Sequence, residues 1–229
     1  MGQYAGRGVH GQTVETIAGR ILSGQLPEGA TLDLGALQHE FDVSLTVMRE
    51  ALRVLAAKGM IDARPKRGTF VRPRADWSLL DADVLRWQFG QRAEPGLFTD
   101  LHDLRTIVEP GAARLAAVRR TDQDLARLDA GLTQMSAAAD PAAAVVADLA
   151  FHRLLLATTH NELLVRMEVV IETGLAERDR IVHGVLAADD PVPSHRAVVD
   201  AIRAQDPDRA ALAMEELLLK AVADVAKAW

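Results

Sequence analysis

Cysteine is missing from all 229 residues. That absence excludes disulfides, thiolate-held zinc and cysteine nucleophiles, and it leaves His, Asp and Glu as the only side chains able to hold a metal. No apolar run of membrane-span length and no hydrophobic core after the lone Arg7 near the start is expected from the sequence, so insertion and export are not expected and the cytoplasm is the predicted compartment. Internal repeats and low-complexity segments are lacking as well. The Ala-rich patch at 137–147 is ordinary helix-forming sequence.

An even spread of the net charge of −6 would argue against nucleic acid. The charge is not even. Residues 1–75 hold ten Lys and Arg against seven Asp and Glu, whereas residues 76–229 hold sixteen against twenty-five. A basic head on an acidic body suits a protein that touches phosphates at one end only. Apolar residues make up 49% of the chain, ample for one large core or two smaller ones.

The segment from Phe41 to Val71 carries the clearest local signals. Ser44 is placed to cap a helix running from about Leu45 to Lys58, with Val47, Ala51, Val54 and Leu55 inward and Thr46, Arg49 and Arg53 outward. Gly59 ends it. Met60–Ala63 reads as a strand, Arg64-Pro65-Lys66-Arg67-Gly68 as a basic turn, and Thr69-Phe70-Val71 as the returning strand. Upstream, helices are expected over Gln12–Ser23 and, weakened by Gly35, over Thr31–Phe41. Three helices and a basic hairpin make a winged helix-turn-helix. DNA contacts are expected from Ser44, Thr46, Arg49, Arg53 and the wing residues Arg64, Lys66, Arg67, Gly68 and Thr69.

Pro73 and the polar residues around it mark a boundary within Arg72–Ser78, giving a DNA-binding domain at 1–74 and a second domain at 75–229. No convincing strand follows. Helices are expected at about 79–90, 95–118, 121–138, 141–158, 161–186, 191–205 and 207–227, so the fold class is mainly α, a winged head on an all-helical antiparallel bundle.

Within the bundle, Asp148 and His152 stand four residues apart, which stacks carboxylate and imidazole on one helix face, and His195 opens a later helix. The three can share a divalent cation, although an Asp–His pair at this spacing is more often a plain helix-surface pair. Arg105 sits in an Ala- and Leu-rich helix one turn before Glu109. Its partner is either Glu109 itself or the carboxylate of a small acid gripped by the guanidinium. His102, His160 and His183 have no comparable spacing and are read as surface or satisfied residues.

These residues resemble the GntR family of bacterial transcription regulators, in the branch with a helical FCD effector domain, over nearly the whole chain. The head carries the likeness in Ile21-Leu22-Ser23-Gly24-Gln25-Leu26, Val43-Ser44, Arg49-Glu50-Ala51-Leu52-Arg53 and Arg67-Gly68-Thr69-Phe70-Val71. The body carries it in Leu104-Arg105, Val108-Glu109-Pro110, Asp148 to His152, Asn161-Glu162-Leu163-Leu164 and Ser194-His195-Arg196. Trp77, Leu80-Asp81 and Val84-Leu85-Arg86-Trp87 are similar to a sugar-acid subgroup that includes galactonate-operon repressors.

The resemblance implies a homodimer on a palindromic double-stranded operator, released by a small carboxylate effector, with no membrane partner. It implies an effector site of Arg105, Glu109, Asp148, His152, Asn161 and His195, and a divalent metal, zinc or similar, on Asp148, His152 and His195. Two departures stand out. The family's fourth ligand, a His in the last helix, is Leu217 here, and the Arg that usually follows the capping Ser is Leu45. Two other functions are carried forward: a metal-dependent hydrolase or lyase using Asp148, His152 and His195, and an architectural DNA binder with no ligand. The enzyme reading lacks any paired His with an adjacent Glu on one helix.

Overall fold

A computed structural model describes residues 8–90, 95–173 and 190–228, with side chains of the last helix described to residue 221. Its contacts divide the chain into two compact units, Met1–Ala93 and Glu94–Trp229.

The first unit contains α1 (Val9–Leu22), α2 (Leu34–Phe41), α3 (Leu45–Ala57), β1 (Ile61–Arg64), β2 (Gly68–Val71), a 3-10 turn (Arg74–Asp76) and α4 (Ala82–Gly90). The second helix is shorter than expected for a definite reason. Thr31 forms a bridge to Phe70 and the Leu32 amide donates to the Thr69 carbonyl at 2.8 Å, so residues 31–32 run extended beside β2. Helix α2 then starts under Asp33, whose carboxylate accepts from the Ala36 amide at 3.0 Å.

Ser44 caps α3 as expected, accepting from the Val47 amide at 3.3 Å. The buried stripe of α3 is centred elsewhere than predicted. Met48, Ala51, Leu52 and Leu55 are buried, and Val47 and Val54 only flank the core. Gly59 follows at φ +74, and a Cβ added there would lie 2.4 Å from the Asp76 carbonyl oxygen, so the position demands glycine twice over. The hairpin pairs Ile61 with Val71 and Arg64 with Gly68, and Lys66 at φ +66 and Gly68 at φ +79 supply the left-handed turn residues.

Helix α4 belongs with this unit. Val84 and Trp87 share a core with Ile17, Leu55, Met60 and Trp77, so contacts part at 93/94 and not at the expected 74/75. The helix predicted to open the body instead completes the head.

The second unit comprises α5 (Pro95–Arg119), α6 (Asp122–Ser136), α7 (Pro141–Thr158), α8 (Glu162–Arg166), α9 (Val192–Arg203) and α10 (Pro207–Ala228). Alanines 113, 116 and 117 on α5 let α10 lie close against it, and the core fills with Leu128, Leu132, Phe151, Leu155, Val198, Ile202, Met214 and Leu218. The helix expected over 161–186 is interrupted by a turn at Met167, and residues 168–173 are again helical. Its remainder, with His183, lies outside the described residues.

Helix α7 corrects one expectation. At 18 residues and mean hydropathy 1.3 it is long and apolar enough to cross a membrane by length and composition. Yet it carries Asp148, His152 and Arg153, and its Ala147, Phe151 and Leu155 line the core of the bundle.

Candidate nucleic-acid interface and buried histidine cluster

The cap at Ser44 starts α3 with its outward face free: Thr46, Arg49 and Arg53 are all exposed. Arg53 also pairs with Glu50 one turn earlier, so Arg49 is the less neutralised cation on that face. Leu45, which replaces the family's Arg, is 40% exposed at the start of the same helix. In the wing, Arg67 lies over the Phe70 ring at 3.5 Å from its centroid, and Arg64 is tied to Asp62 at 3.2 Å. Lys66 is exposed at the tip. Helix face and hairpin thus present the predicted cations on one compact unit, the arrangement by which a recognition helix and wing reach phosphates and base edges.

In the other unit, α5, α7 and α9 bring five predicted residues into one buried chain. Arg105 Nε lies 2.5 Å from Glu109 Oε1 and its Nη2 lies 3.3 Å from Glu109 Oε2. Glu109 Oε2 is also 2.8 Å from His152 Nδ1. Burial pushes the Glu109 carboxyl up, but Arg105 and then His152 outweigh it and hold its pKa at about 2. The internal reading of Arg105 is therefore the one this geometry displays.

The ligand atoms of Asp148, His152 and His195 all lie within 4.8 Å of one another. His195 Nδ1 is 2.8 Å from the Pro191 carbonyl oxygen, which can only accept, so Nδ1 carries a proton and Nε2 is the nitrogen turned toward Asp148. That Nε2 lies 3.0 Å from Asp148 Oδ1 without an aligned hydrogen bond. An imidazole lone pair and a carboxylate oxygen at that distance repel unless a proton or a cation lies between them. His152 is placed similarly by distance, with Nδ1 2.8 Å from Glu109 Oε2 but out of line for a hydrogen bond, and Nε2 3.7 Å from Asp148 Oδ2. Carboxylate and carbonyl acceptors behind two imidazoles are what orients histidines toward a metal. The donor set of two nitrogens and one carboxylate suits zinc and similar divalent ions.

Phe151 walls the site, its ring 4.7 Å from that of His195 and 5.8 Å from that of His152. Asn161, which the resemblance gives to the effector site, also starts a helix. Its side-chain oxygen caps α8, accepting from the Leu163 and Leu164 amides at 3.0 and 3.3 Å. Leu217 is buried in the bundle core with Phe151 and Val198, as an apolar side chain should be. Sequence reasoning missed the Pro191 carbonyl, which carries no side-chain signal, and the second duty of Glu109 on His152, 43 positions away.

Residues 10–71 match the family described as bacterial regulatory proteins, gntR family, and residues 100–220 match the FCD domain. The chain belongs to the GntR family, in its FCD branch. It is 36% identical over 201 residues to the galactonate operon transcriptional repressor of Escherichia coli K12, covering 86% of this chain and 88% of that protein. It is 30% identical to the HTH-type transcriptional repressor NanR of Cronobacter sakazakii, covering 76% and 68% of the two chains. The solved structure of Lar, which controls expression of the Listeria monocytogenes agr system, shares the fold at TM-score 0.65 and 16% identity over 96% and 98%. A GntR protein with an FCD body is a DNA-binding transcription regulator and not an enzyme. Membership thus overturns the reading of Asp148, His152 and His195 as the centre of a hydrolase or lyase.

Proposed function

We propose that this GntR regulator is a cytoplasmic, homodimeric repressor that holds a palindromic operator and is released by a small carboxylate, a sugar acid first among the candidates. The observation that carries the effector half is the buried chain Arg105–Glu109–His152, continued through Asp148 to His195. A run of ionisable groups inside an apolar bundle is costly to maintain for packing alone, and its chemistry suits a carboxylate ligand. The likeness to a repressor named for the galactonate operon supports a sugar acid. Release follows if the acid binds one dimer geometry more tightly than the other.

Asp148, His152 and His195 would hold a divalent ion, with the position of Leu217 left to water or effector. The bound ion would supply a positive charge for an effector oxygen. His152 Nε2 also faces Arg105 Nη2 at 3.3 Å, and one lone pair cannot both accept from the guanidinium and ligate. Ligation therefore requires Arg105 to turn from that nitrogen.

The test is a thermal-shift screen of sugar acids, galactonate included, and small dicarboxylates, repeated after chelation and zinc add-back. A ligand that binds only the folded state raises the melting temperature with occupancy. A hit lost on chelation and recovered with zinc supports both halves of the reading. A hit indifferent to chelation removes the metal. No stabilisation by any acid, together with no binding to DNA fragments at low salt, would overturn the proposal.

A further inference from the structure

Lys58 is a buried cation on an element that should offer its cations to DNA. It caps the C-terminus of α3, immediately before the wing, yet its ammonium turns inward, 2.6 Å from Asp81 Oδ1 and 2.8 Å from Asp83 Oδ2. It stands 5.6 Å from the centroid of the buried Trp87. Around it the backbone is equally tied. The Ser78 amide donates to the Lys58 carbonyl at 2.9 Å, and Gly59 packs so tightly on Asp76 that no Cβ fits. Asp81 has a second task, accepting from the Asp83 and Val84 amides at 3.0 and 3.2 Å and so starting α4. Asp83 is shared with Arg86, which reaches Glu15 on α1 at 3.0 Å.

We infer that Lys58, with Asp81 and Asp83, is the pin that sets the recognition helix and the root of the wing in register with α4, making Lys58 a positioning residue for DNA reading. The physical reason is the cost of misplacement. If α4 turns away from α3, an ammonium or two carboxylates are stranded among Trp77, Trp87 and Val84, whereas an apolar contact in the same place would tolerate sliding. A buried, multiply paired charge defines one register. Helix α4 is the last described element of this unit, so the pin ties the DNA-reading residues to the unit's final helix.

The experiment uses the full-length protein and a duplex selected by it from a random pool. Lys58→Met keeps the length of the side chain and removes the charge. The expected result is a folded protein by circular dichroism, altered Trp emission, and at least a roughly tenfold weaker affinity for the selected duplex at fixed salt. The slope of log affinity against log salt stays at the wild-type value, since no phosphate contact is removed; losing one would lower it by about 0.9. Asp83→Asn combined with Lys58→Met should weaken binding by less than the product of the two single effects. If Lys58→Met fails to fold, the triple variant Lys58→Met/Asp81→Asn/Asp83→Asn removes all three charges together and should fold with the same loss of affinity. Wild-type affinity in a folded variant overturns the inference. So does a slope reduced by about 0.9, which would make Lys58 a phosphate contact.

Discussion

Arg105 and Glu109, one turn apart on α5, are joined twice, Nε to Oε1 at 2.5 Å and Nη2 to Oε2 at 3.3 Å, with both side chains buried. A pair of this kind defines the helix face but punishes the loss of either member. Glu109→Gln should therefore lower the stability of the body by about 3 kcal/mol, because it removes the carboxylate charge joined twice to the buried Arg105. Urea unfolding followed by circular dichroism measures it; a change under about 1 kcal/mol would show that the charge finds water or another acceptor.

The same pairing makes Arg105→Ala a poor probe, since it strands Glu109. Arg105→Lys keeps the charge and loses the planar fork that grips a carboxylate in two places. We expect the Lys variant to bind DNA as the wild type does and to lose effector-driven release, read by fluorescence anisotropy of labelled operator with a sugar acid titrated in. Release at wild-type effector concentrations would remove Arg105 from the effector site.

Arg49→Ala should give the opposite pattern. It is exposed on α3, in the unit that does not hold the histidine cluster, so effector binding should be intact while DNA affinity falls and the salt slope drops by about 0.9. An unchanged slope with weaker binding would mean that Arg49 reads a base edge and not a phosphate.

Asp124 offers a pH test on a carboxylate outside the Asp148–His152–His195 cluster. Burial raises its pKa, but hydrogen bonds from the Thr121 hydroxyl and amide, and from His160, more than offset this and hold it below its ordinary value of 3.8. The folded value being the lower, the stabilisation is present above pH 3.8 and is lost as pH falls through the folded pKa. Asp124→Asn, which keeps an amide oxygen for the Thr121 N–H but removes the carboxylate charge, should cost about 1 kcal/mol at pH 6 and progressively less below pH 3.8. A difference that does not narrow on acidification would show that the carboxylate charge has no part in it.

Gly59→Ala should be the most damaging single-atom addition in the head. It meets both a positive φ and the Asp76 carbonyl at 2.4 Å, so the cost should exceed the ~1 kcal/mol of left-handed strain alone. Differential scanning calorimetry would resolve it, and a melting temperature equal to that of the wild type would refute the fit.

What the chain discloses in its sequence depends on how far each interaction reaches. The cap at Ser44, the stop at Gly59 and the left-handed turn at Lys66 and Gly68 depend on residues a few positions apart, and the helix-turn-helix and wing were legible from them. The inward face of α3 was harder, because Leu45, Val47, Met48, Ala51, Leu52, Val54 and Leu55 form an apolar arc so wide that periodicity alone cannot find its centre. The allegiance of α4 rests on Lys58 meeting carboxylates 23 and 25 residues away, and no local pattern announces that. The histidine cluster was half legible. Asp148 and His152 share a helix face by spacing, whereas the proton positions that aim their partners are set by a carbonyl at Pro191 and by Glu109 on another helix.

The stacking of Arg67 on Phe70 bears on how the wing meets its target. A free arginine side chain carries roughly 2 kcal/mol of rotamer entropy that must be surrendered when it is immobilised. With its guanidinium resting on an aromatic plane that is itself locked into β2, much of that freedom is already gone before any DNA arrives. If the wing contacts the duplex, Arg67 does so already held in place, and restraining it further would add little affinity.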